Sequence, residues 1–442
     1  MQDSDRKHVV TCELHETSGS LRGWMRQSGS CLTQGILSAR HSGMHCLGFL
    51  VGCSLLLAAA AAQREGLEVL LRDGTVVKTS ALVGDLASGL ELHADGGKRR
   101  VAIEDLVAVL GGGAARPTLS AAHLAGGEVV CGEVVGGDQA GHRLELQSPV
   151  FGRLGFDVDR LLALAAPGVQ APQRLQLPTA VEEALFVRAK VGFDVLAGTL
   201  HQFGEQGVRF QPDGAAAPRW YRVDDFVALR LSGATARPTP AAITLLTRVG
   251  DRVRVDLVRW GADRVMLQLE GKVQVTVAVA DVAAMSFHQG VVFVSDLPTA
   301  AVAEAGFDGE VVYPFQRDHN VLGEPLVSGG RAHGKGLGVH SRSSLAFVVP
   351  PGCERFWTRV AFDDSAAALG LEPRANVQVL VGDQVVFAHQ DLAAGQAPLD
   401  TGLVVVKPGQ TVTLQVEPGR GRDLGDRVNW LSPVFLPAPR RS

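Results

Sequence analysis

A short phrase recurs four times between Leu67 and Gln289: DLVAV at Asp105–Val109, RLLAL at Arg160–Leu164, DFVAL at Asp225–Leu229 and DVAAM at Asp281–Met285. The alanines common to the four, Ala108, Ala163, Ala228 and Ala284, lie 55, 65 and 56 residues apart. A period of that size specifies stacked or strung copies of one supersecondary unit. Each copy opens on a strand-like run and turns at glycine. In the first, Leu67, Val69 and Leu71 precede Asp73-Gly74, the dipeptide best suited to a tight type I′ hairpin, and Val76 begins the return. In the fourth, Val253 and Val255 alternate with Arg252, Arg254 and Asp256, and Val273, Val275, Val277 and Val279 alternate with Gln274, Thr276 and Ala278. That period of two is the pattern of half-buried strands.

Proline-bearing stretches at 114–117, 167–178 and 234–240 lack a helical stripe and read as linkers. The units they delimit, 67–113, 119–167, 180–232 and 240–289, resemble small SH3-like or Sm-like barrels. Domains this short bury too little surface alone, so neighbouring copies are expected to pack together or pair strands. Glu104, Asp105, Asp224, Asp225 and Asp281 recur at the head of the closing phrase, where a carboxylate is expected to act as a local cap.

With 442 residues, 46% of them hydrophobic, and a net charge of −4, the chain has apolar mass for several domains and no basic stripe of the kind that tracks a phosphate backbone. Nucleic acid is therefore not an expected partner. From Met44 to Ala62 an uncharged apolar run ends in alanines and meets Gln63, Arg64 and Glu65, the pattern of a signal-peptide core within a leader at 1–62. An uncleaved anchor is the alternative, and Met25 or Met44 would give a more usual leader length. Both alternatives place the remainder outside the cytoplasm. Beyond the leader only Cys131 and Cys353 remain, in different expected domains, so neither a disulfide framework nor a cysteine zinc site is required.

From Val291 the text changes. VSDLP at Val294–Pro298, GKGLGVHS at Gly334–Ser341, VAFDD at Val360–Asp364, the hairpin-like VQVLVGDQVVF at Val377–Phe387 and NW at Asn429-Trp430 follow in order. This succession resembles the NPCBM/NEW2 family of carbohydrate-binding modules, with two departures: Asn429 stands at an acidic position, and residues 366–371 form an alanine-rich loop. The resemblance implies a galactose-binding-like jelly roll. Independently, Val377, Val379 and Val381, then Val412, Leu414 and Val416, show period-two patterning between Gly and Pro-Gly turns, as in a β-sandwich. The expected fold is all-β: four small SH3/Sm-like units in tandem, then a jelly-roll sandwich over 291–438.

The chemistry on offer is that of binding. Gly329–Lys335 spells the start of a phosphate-binding loop, but Gly336 stands where Ser or Thr should hold magnesium and a strand follows, so no nucleotide is expected. Asp363 and Asp364 are adjacent, and on a strand adjacent side chains oppose each other, so they do not make the spaced pair of a glycosidase. A sugar site combines an aromatic face with hydrogen-bonding groups. Tyr313 and Trp430 are candidates for the first, and Arg317, His340, Asp363 and Asp364 for the second, with His340 able to hydrogen-bond either aspartate. No cofactor is expected, although Asp363, Asp364, Asp423 and Asp426 could give oxygens to a structural calcium. The expected protein is an exported, non-catalytic glycan binder whose β units act as spacers or contact other proteins. The alternatives are a structural or adhesion protein without sugar affinity and a glycoside hydrolase accessory.

Overall fold

The computed structural model describes residues 66–438 except 95–96, 114–117, 139, 170–181, 206, 235–241, 270–272, 307–310 and 421–422. The leader, and most of the linkers expected at 114–117, 167–178 and 234–240, lie outside the described residues. No described helix is long and apolar enough to cross a membrane.

The strands from Leu67 to Phe287 fall into four groups with one plan. Each meanders antiparallel, makes a 3₁₀ turn and ends on a short apolar strand that returns to pair with the first. Leu67–Leu71 pairs with Leu106–Leu110, Ser120–Leu124 with Leu161–Ala165, Glu183–Arg188 with Phe226–Arg230, and Ile243–Thr247 with Val282–Phe287. The repeated carboxylates sit within the 3₁₀ turns at Ile103–Asp105, Val223–Asp225 and Val279–Asp281. Asp225 closes its turn rather than opening it, and from that third position its carboxylate reaches back to accept from the Arg222 amide.

The groups associate by their closing strands, the first with the fourth through Ala284↔Leu110 and Ser286↔Ala108, the second with the third through Ala163↔Arg230 and Ala165↔Ala228. Each closing strand thus has a neighbour on both edges. The shared alanines are all at most 1% exposed, small residues where backbone from two groups closes in. Between the second and fourth groups, the Asp251 carboxylate, held at 2.7 Å by the Thr247 hydroxyl of its own group, accepts from the Cys131 amide at 2.6 Å, and Arg254 donates to Gly126 O.

The C-terminal segment is a β-sandwich. One sheet runs Gln316–Arg317, Gly336–His340, Arg427–Leu436, Arg355–Phe362, Leu399–Asp400; the other runs Ala301–Glu304, Ser343–Val348, Thr411–Pro418, Arg374–Val381, Gln384–Ala393. Its core is Leu337, Val339, Phe347, Phe356, Val377, Leu414, Trp430 and Phe435 with their neighbours. Among its described residues, a 3₁₀ turn at Val294–Asp296 and a short α-helical turn at Asp364–Ala367 interrupt the β structure.

The sandwich is not tethered loosely. Leu70, Val107, Leu110, Leu246 and Ala283 from the first and fourth groups form one buried cluster with Val291, Phe293, Trp357, Val434 and Leu436. Each large side chain hidden there contributes about 1.5–3 kcal/mol. Across this seam Glu68, 5% exposed, is gripped by the Arg359 guanidinium and lies 3.6 Å from that of Arg331. Arg331 also donates to Gly111 O and Gly66 O at 2.8 Å, and Arg252 reaches Gly334 O at 2.6 Å and Asp318 O at 2.9 Å.

Removing one partner of a buried ion pair strands the others in a poorly solvated place. Glu68→Ala is expected to lower stability by about 3–5 kcal/mol in chemical denaturation. Adding Arg359→Ala should cost far less than a second independent loss, because the two share one interaction.

Candidate functional site

The geometry starts at Gly338. A Cβ there would stand 2.4 Å from Asn320 Cα, so only glycine lets the 319–320 backbone lie against this strand. That approach draws in the loop carrying Tyr313, and two residues on, His340 ends the strand opposite Arg427. The Tyr313 and His340 rings stack with centroids 5.2 Å apart and planes at 28°. Tyr313 remains 46% exposed, alongside Val311 and Val312 at 73% and 43%.

Burial holds His340 below the usual imidazole range; the Ser341 backbone and Asp423 oppose that shift, and Arg427 adds to it. The ring is neutral at neutral pH, with one nitrogen to donate and one to accept. Next to it Arg342 adopts a left-handed conformation, φ 64, and its Nε lies 3.6 Å from an Asp423 oxygen. One half-exposed aromatic face, a neutral imidazole and a guanidinium–carboxylate pair therefore occupy one end of the sandwich.

The other expected site residues are placed differently. Trp430 is 0% exposed within the sandwich core, so it cannot offer a ring to a ligand; its strand has neighbours on both edges and the opposing sheet above it. Asp363 is 2% exposed and accepts from Asn429 Nδ2 at 2.8 Å, Asn320 Nδ2 and Val327 N at 3.2 Å and Ser365 N at 3.0 Å. Asp364 takes the amides of Gly329 and Gly330, both at 2.8 Å. These carboxylates are struts between loops, and neither takes a bond from His340. Asn429, the departure from an acidic residue, is the strongest donor to Asp363; an acid there would set two carboxylates against each other. Arg317 donates to Ser295 O at 2.7 Å with its guanidinium 5.4 Å from the Phe315 ring, bracing the loop that carries Tyr313. Lys335 of the phosphate-loop lookalike is 6% exposed and committed to Asp296 and Asp318, at 2.5 and 2.9 Å.

Behind the stack lies a group that sequence reading underrated. Asp426 is 0% exposed; its carboxylate makes no hydrogen bond of good geometry, although the Ser341 hydroxyl and the Arg374 backbone N–H lie close enough to favour its ionised form, and the Ser343 hydroxyl is buried without a partner. Burial pushes the Asp426 carboxyl up to about 7; Ser341 and the Arg374 backbone restrain the rise and Asp423 adds to it. Among the described residues no three acidic, histidine or cysteine side chains converge as a metal cage. Calcium takes six to eight oxygens, so Asp423 and Asp426 do not furnish its shell unaided.

Residues 290–436 match the family model described as NPCBM/NEW2 domain. No curated protein matches the chain. Among solved structures, a CBM51 module from Clostridium perfringens GH95, in complex with methyl-galactose, is 18% identical, aligned over 33% of this chain and 99% of its own, with a TM-score of 0.29. CBM51-2 with the INT domains of Clostridium perfringens ZmpB, in complex with GlcNAc, is 15% identical over 44% of this chain and 40% of its own, with a TM-score of 0.30. The tandem CBM51 modules of Sp3GH98, a family 98 glycoside hydrolase from Streptococcus pneumoniae, are 13% identical over 84% and 88%, with a TM-score of 0.30.

The raised Asp426 carboxyl sets a pH dependence. Between about pH 4, where an unfolded aspartate ionises, and about 7, the folded chain holds the proton more tightly, so stability falls as pH rises through that window. Thermal melts should show Asp426→Asn gaining on the native protein as pH climbs from 4 to 7.5, with the difference levelling off above 7. Millimolar calcium that erased the difference would mean that backbone carbonyls complete a cation shell around Asp426.

Proposed function

We propose that the NPCBM/NEW2 domain formed by residues 290–436 binds a neutral glycan end, without catalysis, outside the cytoplasm. The observation that supports this reading most directly is the Tyr313–His340 stack, half open to solvent beside Arg342 and Asp423. A sugar ring has one apolar C–H face and a rim of hydroxyls. It asks for an aromatic surface flanked by a few donors and acceptors, and this end of the sandwich supplies both.

One aromatic face with one ion pair suits a single terminal residue better than a long flat chain. The neutral state of His340 keeps the stack from repelling or attracting charge. The non-catalytic reading is supported by Asp363 and Asp364, whose oxygens are engaged by amide and side-chain N–H donors. The extracytoplasmic reading rests on the apolar run at Met44–Ala62.

Titration calorimetry of the full chain with galactose- and N-acetylglucosamine-terminated glycans tests the proposal. Tyr313→Ala is expected to weaken binding at least about tenfold, the ~1.4 kcal/mol one stacked ring can supply, with an unchanged melting temperature. Binding should not strengthen as pH falls from 8 to 7, because burial keeps His340 in its neutral form there. Binding that survives both Tyr313→Ala and His340→Ala, or no binding to any arrayed glycan, would refute the site.

A further inference from the structure

We propose a second saccharide site, at the junction of the first β unit and the sandwich, that takes a sugar ring carrying one carboxylate. The junction forms a cleft of about 650 Å³, half open to solvent, lined by Arg72, Arg99, Arg100 and Arg355 together with Asp73, Glu104 and Asp105. It shares no lining residue with the Tyr313–His340 stack, so it stands on its own observations.

Its arginines are only partly spent. Arg72 is fixed across the seam, donating to Glu104 O at 2.7 Å and to Gly290 O. Arg100 uses Nε on Ser88 O and Arg355 uses Nε on Pro437 O, while Arg99 lies 3.7 Å from Asp73 with its side chain 52% exposed. The terminal guanidinium N–H groups of Arg100 and Arg355 take no further hydrogen bond among the described residues. Nε anchoring leaves the outer edge of a guanidinium to meet a carboxylate with two parallel bonds.

The charge balance selects the ligand. Four guanidiniums against three carboxylates leave one net positive charge, which suits one negative group and disfavours a polyphosphate. A carboxylate only accepts, and a ligand that meets Asp105 in this wall must bring hydroxyl donors. A polyhydroxylated ring with a single carboxylate, a hexuronic acid, meets both conditions, and the volume accommodates more than one ring.

Calorimetry of the full chain with glucuronate- and galacturonate-containing oligosaccharides, beside neutral oligosaccharides of equal length, tests this. The acidic sugars should bind, more weakly as salt is raised. Arg99→Gln and Arg100→Gln, both on the exposed strand Gly97–Val101, should each weaken binding by about tenfold. Tyr313→Ala should leave this binding unchanged, which separates it from the neutral-glycan site. Failure of acidic sugars to bind, or equal binding by the Arg99→Gln/Arg100→Gln double variant, would overturn the site. Complete competition by inorganic phosphate would overturn its assignment to sugars.

Discussion

One buried carboxylate sets the terms for the whole described structure. Glu68 sits on the first strand of the first β unit, nearly out of reach of water, and its charge is tolerable only because Arg359 and Arg331 of the sandwich come to it. The apolar cluster around Trp357, Phe293 and Leu70 supplies area, but burial of area has no direction. The guanidinium forks have direction, and with the backbone bonds from Arg331 and Arg252 they fix how the sandwich meets the units beneath it. The phrase around Lys335 belongs to this docking: its lysine neutralises Asp296 and Asp318 near the seam, which is why it faces no ligand.

The seam explains what is left for recognition. The strands Gly336–His340 and Arg427–Leu436 are consumed by the sandwich core and the seam along most of their length, and only the His340 end emerges. There the structure keeps a half-exposed tyrosine and an arginine in a left-handed turn, the latter beside the buried Asp423. Asp426, immediately behind, remains as a buried carboxyl whose desolvation the nearby Ser341 hydroxyl and Arg374 backbone offset only in part, a cost that the packing around it must carry. The arginine-lined cleft is walled by residues of both the first unit and the sandwich, so neither forms it alone.

Much of this was legible in residue order. The Asp73-Gly74 turn, with Gly74 at φ 81, and the alternation of Val377, Val379 and Val381 are local facts, governed by neighbours within a few residues. The ordered motifs from Val294 to Trp430 marked the sandwich, and Tyr313 and His340 stand separately among the candidate site residues, with nothing in the order to pair them. Trp430, Asp363 and Asp364 were misjudged because residue type does not say whether a tryptophan faces a core or an aspartate meets waiting amides. Asp426 was noticed only as one acid among four, since its isolation is a property of what surrounds it.

Residue order by itself determined the β character and the C-terminal sandwich, because strand period, turn chemistry and motif order act over short distances. Tertiary structure alone decided that the first unit pairs with the fourth and the second with the third, and that Leu67–Leu71 is buried along its whole length. That strand shows one face to its own core and the other to the seam, so its apolar residues do not alternate as an edge strand's would. Which carboxylates become struts, which stays unpartnered and which aromatic ring stays open depend on contacts between residues tens to hundreds of positions apart, and no local rule carries that information.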